Sequence, residues 1–496
     1  MSYFMGIDLG TSSTKTLIMD ENGKTAGIGN ASYGIQIPQI SYAEQDPLEW
    51  WEAVKKSIKK ALQEAGIHGR DIAGIGFSGQ MHGMVALDEN KQLACAAIIH
   101  LDQRSSVDLD EIRFLAGNLM KDELLNQPSA GMMISSLYWL KKHQKETYDR
   151  IRYVMSPKDY ISFRLCGEIC TECTDAGATL GFSVKNYHWC TELFRKLGLK
   201  EDIWPPVHKS YEIAGYVTSK AAEETGLSTN TKVICGAGDS MAALTGNGII
   251  ESGYITCNIG TSSQLAVVVD KPIFDSKMRI QTWCHTVPER WVVQSGTLNG
   301  GSVLSWIRNN MLKTDQTFAQ LDQEAGLTPA GADGLYFLPY LAGERTPYND
   351  PCAKGVFFGL NMMHQQGHLV RSAMEGILFN LKECLYILDE MKVERFRLIA
   401  SGGAARGVTW KQIQADMLNM PVYSTNVKEE ACQGAAILAA VGVGFFKDIK
   451  EACQVAVTMS HEVVEPIPEN VKIYNEKQEI FHDLYYSVKN LYPRIV

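Results

Sequence analysis

Along the first quarter of the chain the spacing of apolar positions changes from block to block. Phe4-Met5-Gly6-Ile7-Asp8-Leu9 is a short, nearly continuous apolar run, the pattern of a buried strand. Gly10-Thr11-Ser12-Ser13 breaks it as a turn, and residues 14–19 resume as a second strand. Asp20-Glu21-Asn22-Gly23 turns again, with Asn-Gly the favoured hairpin pair. From Asp46 the period lengthens to that of a helix. Trp51, Val54, Ile58, Leu62 and Ala65 fall on one face. Asp46 suits the N-cap, Pro47 the first helical position, Glu49 can close a capping box, and Gly66 ends the helix. Lys55, Lys56, Lys59 and Lys60 on this helix read as a solvated face. Strands alternating with amphipathic helices predict an α/β protein.

The hairpin at the N-terminus recurs. Residues 8–20 read DLGTSSTKTLIMD and residues 258–270 read NIGTSSQLAVVVD, an offset of 250 with no gap. Each segment is strand, small-residue turn, strand. The period is far too long for a solenoid and implies two related halves. Their boundary is expected near residues 244–253, where Thr245-Gly246-Asn247-Gly248 and Ser252-Gly253 are loop-like. No low-complexity linker lies between them, so close packing around a cleft is expected.

Composition narrows the classes. The 496 residues carry 47 Lys+Arg and 56 Asp+Glu, a net charge of −9, which disfavours general binding to nucleic acid or an anionic membrane. The longest weakly apolar run, residues 434–446, falls short of the ~20 residues of a membrane span. No export signal is visible at the N-terminus. The 12 Cys show no regular spacing and read as reduced thiols of a cytoplasmic protein.

Both recurring turns suit phosphate. Gly10 and Gly260 admit an anion close to the backbone, and Thr11, Ser12, Thr261 and Ser262 add hydroxyl donors. Facing one another, the loops could hold the phosphates of one nucleotide. Asp8, at a strand end, suits Mg²⁺ through water, or alternatively caps the turn; Asn258 replaces it in the second half. Asp239, after the strand-like run 233–238, can project into a cleft as a general base, or cap the helix that follows. Gly402-Gly403-Ala404 could back an adenosine, or be an ordinary strand-to-helix turn. Gln80, Met81 and His82, between Gly79 and Gly83, close an apolar strand with an amide and an imidazole that can bond hydroxyls of a polar ligand, or the His is structural. Asp102 and Arg104 could do likewise, or form a surface ion pair. The G-x-G-x-x-G match at Gly74 to Gly79 is a decoy, because no helix follows it.

Taken together these residues resemble the FGGY carbohydrate kinases over essentially the whole chain. Gly355-Val356-Phe357-Phe358-Gly359-Leu360, followed by His368-Leu369 and Ser372-Ala373-Met374-Glu375, is similar to the family's C-terminal signature, and residues 337–347 (FLPYLAGERTP) also look like the family. Within the family, residues 75–83 (IGFSGQMHG), Glu44-Gln45-Asp46-Pro47 and Ser156-Pro157-Lys158-Asp159-Tyr160 most resemble xylulokinases. Residues 258–266 and Leu298-Asn299-Gly300-Gly301 look closer to sedoheptulokinases. His100 stands where the family often has Trp, Ser136 where it usually has Lys, and Met133 where it has Thr or a similar residue.

The resemblance implies a duplicated actin-like (ribonuclease H-like) ATPase fold, with domains 1–246 and 247–496 around a central cleft. It implies ATP and Mg²⁺ as cofactors and transfer of a phosphoryl group to a ketose, D-xylulose first. Asp239 matches the catalytic base and Asp8 the essential acid of the first phosphate loop, both near the metal. Met81 and His82 match sugar contacts, Thr261 the second phosphate loop, and Gly402-Gly403-Ala404 the adenosine turn. The expected partners are a small-molecule sugar and ATP, and a homodimer is compatible with the family. Another ketose or polyol, such as sedoheptulose, stays open as substrate. So do an actin-like ATPase and a sugar sensor without turnover.

Overall fold

The computed structural model describes residues 2–495. It is built on two sheets of one design. In the first half, β1 (Tyr3–Leu9), β2 (Ser13–Asp20) and β3 (Thr25–Ser32) form an antiparallel meander, and β4 (Ile72–Gly79) pairs with β1 in parallel. β6 (Lys232–Ile234) and β7 (Ala237–Gly238) pair in parallel with β4, and β5 (Ile213–Tyr216) closes the edge. In the second half, β8 (Tyr254–Ile259), β9 (Ser263–Val269) and β11 (Trp291–Thr297) repeat the meander, with β10 (Gln281–Cys284) at its edge. β12 (Arg397–Ser401) and then β13 (Val422–Tyr423) extend it in parallel. The strand orders β3-β2-β1-β4-β6 and β11-β9-β8-β12-β13 correspond. The sequence repeat is therefore a repeat of topology.

The two hairpins are not superimposable copies. Leu9 pairs with Thr14 in the first, whereas Ile259 pairs with Ser263 in the second, so the second loop is one residue shorter. A one-residue slip exchanges the faces of a strand. Ser13 and Lys15 are accordingly part-exposed while Thr14 is buried; Ser263 and Leu265 are buried while Gln264 is part-exposed.

The predicted amphipathic helix is α1 (Pro47–Ala65), capped by the Asp46 side chain on the Leu48 N–H and ended by Gly66 in the left-handed region. The reciprocal capping box expected from Glu49 does not form: the cap is the Asp46 contact alone. Further helices are α2 (Pro157–Cys166), α3 (Cys173–Ala178), α4 (Asp239–Gly246), α5 (Gln366–Glu390), α6 (Val408–Leu418), α7 (Glu430–Gly442) and α8 (Pro468–Val488).

One helix ties the halves together. α7 belongs to the second half in sequence but packs on β1 and β4 of the first sheet and on α4. Glycines permit this closeness. A Cβ on Gly6 would lie 1.9 Å from the Cys432 carbonyl oxygen, and one on Gly434 would lie 1.9 Å from that of Ala242. The weakly apolar run at residues 434–446 is thus largely a core helix between two elements of the other half. All twelve cysteines are free thiols. Among the described residues no helix is long and apolar enough to cross a membrane.

Candidate active site

The first loop is held by its carbonyls. Gly10 N–H donates to the Ser13 carbonyl (3.0 Å) and Tyr33 N–H to that of Ser12 (3.1 Å). Gln45 Nε2 donates to the Thr11 carbonyl (2.7 Å), and the Tyr33 hydroxyl to that of Gly10. With the acceptors of Gly10 to Ser13 engaged by the protein, the Thr11 and Ser12 hydroxyls and nearby N–H groups remain to meet an anion. The second loop is held by the same device from a different direction. Gly260 N–H donates to the Ser262 carbonyl (3.0 Å), Gly301 N–H to that of Gly260 (2.7 Å), and the Ser302 hydroxyl to that of Thr261 (2.7 Å).

The residue preceding each loop is placed by sheet register. Asp8 lies opposite Ser78, and Asn258 opposite Ser401, at equivalent positions of the two sheets. The Ser78 hydroxyl donates to Asp8 Oδ1 at 2.7 Å. Burial raises the Asp8 carboxyl above the usual range, against the pull of Ser78 and Lys15. Lys15 in turn bonds Glu429 at 2.6 Å, an ion pair from the first loop's strand to the residue preceding α7.

Asp239 is the first residue of α4, one step past β7; the N-cap itself is Gly238. Its Oδ1 accepts the Ser240 N–H at 2.6 Å. Its carboxyl is pushed up to about 7, first by burial and then by the negative charge of Asp8. The two carboxylates expected to serve the chemistry, both at strand ends of the first sheet, therefore sense each other's charge. They suit Mg²⁺, which takes one or two carboxylates and completes its shell with water and phosphate oxygens. Among the described residues no group of three or more His, Cys, Asp or Glu is placed to hold a metal, so the fit depends on those outside ligands.

Met81 packs directly on Gly238: a Cβ there would meet Met81 Cγ at 2.6 Å. His82 follows in a left-handed conformation (φ 72°), a costly arrangement for a non-glycine residue that re-aims the imidazole. Its Nδ1 lies 2.8 Å from the Ala178 carbonyl, and its ring is 5.4 Å from that of Trp283 in the second half. Burial drives the His82 pKa down to about 4, so the ring is neutral. Nδ1–H then donates to Ala178, which leaves Nε2 as an acceptor. Gln80 is buried and donates to Gln45 Oε1 (2.9 Å), linking this segment to the first glycine loop.

Asp102 and Arg104 form an ion pair, but a buried one. Asp102 accepts the Ala43 N–H (2.7 Å) and Arg104 Nη2 (2.8 Å), while Arg104 also reaches Glu44 (2.6 Å) and lies 3.7 Å from the Tyr42 ring centre. The pair fixes residues 42–44 and with them the neighbouring Gln45 under the first glycine loop.

In the second half, Gly402 adopts φ 74°, and a Cβ there would lie 2.7 Å from the Ile259 carbonyl oxygen. Gly402, Gly403, Arg406, Ser424, Thr425 and Glu430 help to line a cavity of about 390 Å³. Ala404 is buried behind this turn. A larger cavity of about 700 Å³, among Glu383, Tyr386, His482 and Tyr486 on α5 and α8, contains none of the glycine loops.

Known proteins place this arrangement. Residues 3–246 match the N-terminal domain, and residues 255–443 the C-terminal domain, of the FGGY family of carbohydrate kinases. The chain is 32% identical to the xylulose kinase of Bacillus subtilis over 491 residues, covering 99% of this chain and 98% of that one. It is 31% identical to the gluconokinase of the same species over 507 residues, covering 100% and 98%. The ligand-bound xylulose kinase structure from Lactobacillus acidophilus superposes with a TM-score of 0.93 at 27% identity, with both chains fully covered. The protein belongs to the FGGY family of carbohydrate kinases. It is a sugar phosphotransferase with the actin-like two-domain fold, and ATP is the donor this family uses.

Several residues at the site carry no signal in the sequence by themselves. Glu429 reaches Lys15 because α7 returns to the first sheet, and Thr425 reaches the Gly402 cavity because β13 lies beside β12. Ser78 and Gln45 lie inside segments singled out for other reasons, and their contacts to Asp8 and Thr11 depend on register and packing.

Proposed function

We propose that this kinase transfers the γ-phosphoryl group of ATP to a primary hydroxyl of a ketose, with D-xylulose to D-xylulose 5-phosphate as the favoured reaction. The observation that carries the reading is Asp239: a buried carboxyl with its pKa raised to about 7, within the field of Asp8 and next in sequence to Gly238, on which Met81 packs. Xylulose kinases among the relatives support the choice of sugar.

Phosphoryl transfer asks for in-line positioning and charge neutralisation more than covalent chemistry. Asp239 accepts the proton of the attacking hydroxyl. Met81, His82 and Gln80 orient the sugar, and His82 Nε2 takes a hydroxyl hydrogen. Thr11, Ser12, Thr261 and Ser262, with Gly10 and Gly260, cradle the phosphates, while Gly402, Gly403 and Ala404 back the adenosine. Mg²⁺, held by Asp8 and Asp239, would neutralise charge on the phosphate oxygens. Asp102 and Arg104 act indirectly, by fixing the segment from which Gln45 holds both Gln80 and the Thr11 carbonyl. In this reading domain 1–246 brings the sugar and the base, domain 247–496 the adenosine site, and the enzyme works in the cytoplasm.

The test is ADP release with D-xylulose, sedoheptulose, other ketoses, polyols and gluconate, with each product identified by mass spectrometry. D-xylulose should give the highest kcat/KM. Preference for sedoheptulose or gluconate would overturn the choice of sugar, and ADP without phosphosugar would favour an ATPase.

A further inference from the structure

Behind the catalytic turn lies a charged cluster that the proposed chemistry does not use. Lys158, on the first turn of α2, is wholly buried, with Nζ 2.6 Å from Asp159, 3.2 Å from Asp175 and 3.4 Å from Glu172. Glu172 is also wholly buried and accepts four hydrogen bonds: Thr174 N–H (2.8 Å), Thr174 hydroxyl (2.8 Å), Asp175 N–H (3.0 Å) and Ser210 hydroxyl (2.9 Å). The cluster reaches the turn before Asp239 at both ends. Lys158 Nζ donates to the Cys235 carbonyl (3.3 Å), and Gly238 N–H donates to Thr174 Oγ1 (2.9 Å). The Thr174 hydroxyl has one hydrogen, and it is spent on Glu172. Its lone pairs are thereby turned to Gly238. Buried ion clusters add little to stability compared with apolar packing, so this one invites a reason beyond stability.

We propose that Thr174, anchored on Glu172 and Lys158, is a positioning residue that fixes the Gly238 peptide and so aims the carboxylate of Asp239. The inference rests on the reading of Asp239 as the base. Thr174 touches neither sugar nor nucleotide in this scheme; it acts only through the turn.

The test compares the full-length wild type with Thr174→Val, Thr174→Ser and Asp239→Asn. The acceptor is whichever of D-xylulose, sedoheptulose and gluconate the wild type turns over fastest. Thr174→Val keeps the shape but leaves Gly238 N–H without an acceptor. Its kcat should fall about 10- to 100-fold with the KM for sugar within about twofold, the split expected for a misaimed base. Thr174→Ser should restore most of the loss, and amide exchange in a peptide spanning residues 233–245 should be faster in Thr174→Val only. If Thr174→Val does not fold, Thr174→Ala carries the same comparison. A valine variant with wild-type kcat, or a serine variant as slow as valine, would overturn the proposal while Asp239→Asn stays inactive. Retained turnover in Asp239→Asn would overturn both the positioning role and the base.

Discussion

At the scale of single residues, the chemistry turns on two carboxylates placed where water solvates them poorly. Burial and the charge of Asp8 together hold the Asp239 carboxyl at about 7. A base must be ionised to accept a proton. The kcat/KM for sugar should therefore rise with pH through about 7 and level off above it. A profile that is flat across this range would contradict the assignment. The same shift has a signature in stability. The folded-state pKa lies above the usual 3.8, so the folded chain holds a proton between 3.8 and about 7 that the unfolded chain has released. This contribution is present at low pH and is lost as pH rises through the folded value. Asp239→Asn, neutral throughout, should melt at a higher temperature than wild type at a pH above 7, and a lower melting point there would count against the buried pair. Gly402 is constrained differently. Its φ of 74° and the nearby Ile259 carbonyl leave no room for a methyl group. Gly402→Ala should raise the KM for ATP, measured by ADP release, more than the KM for sugar.

Among elements, some features are legible in the sequence and others arise only from packing. The period and ends of α1 are local chemistry, and both Asp46 and Gly66 cap as their residue types predict. The hairpin repeat is legible too, because GTSS survives at both sites. The one-residue difference between the loops is not, since the aligned sequences contain no gap; it shows only in which side chains are buried on β2 and β9. The docking of α7 on the first sheet is equally hidden. It depends on contacts between residues separated by hundreds of positions, such as Gly6 with Cys432 and Ala242 with Gly434. Gly6→Ala or Gly434→Ala would drive a methyl group into backbone. Each should destabilise the fold by about 1–3 kcal/mol or more, read by chemical unfolding. Unchanged unfolding midpoints would show that α7 does not pack as described.

For the whole molecule, the family signature and the chemistry lie apart. Val356–Phe358 pairs with Tyr336–Leu338, and Glu375 holds Arg371 (2.8 Å), Tyr474 (2.8 Å) and the Gly331 N–H (2.9 Å) inside the second half. The C-terminal signature therefore builds the second core, whereas the glycine loops and the turn before Asp239 lie at strand ends of the two sheets. The halves meet through α7 on α4, through Lys15 with Glu429, and through Asn126 with Thr282 (Nδ2 to carbonyl, 2.7 Å). A cleft made this way can tighten when the sugar binds, which would exclude water from the phosphates. A ketose lacking the acceptor hydroxyl should consequently raise the slow hydrolysis of ATP. No stimulation would argue against closure linked to sugar binding.

The central claim is that Asp239 directs the γ-phosphoryl group of ATP onto a primary hydroxyl of a ketose. It is tested most directly by incubating wild type and Asp239→Asn with ATP, Mg²⁺ and D-xylulose and locating the phosphate in the product by phosphorus NMR. The account predicts D-xylulose 5-phosphate from the wild type. It predicts a rate lower by about 10²- to 10⁴-fold in the variant, with sugar binding retained. Phosphate at a different hydroxyl, no phosphosugar from the wild type, or equal rates in the two proteins would contradict it.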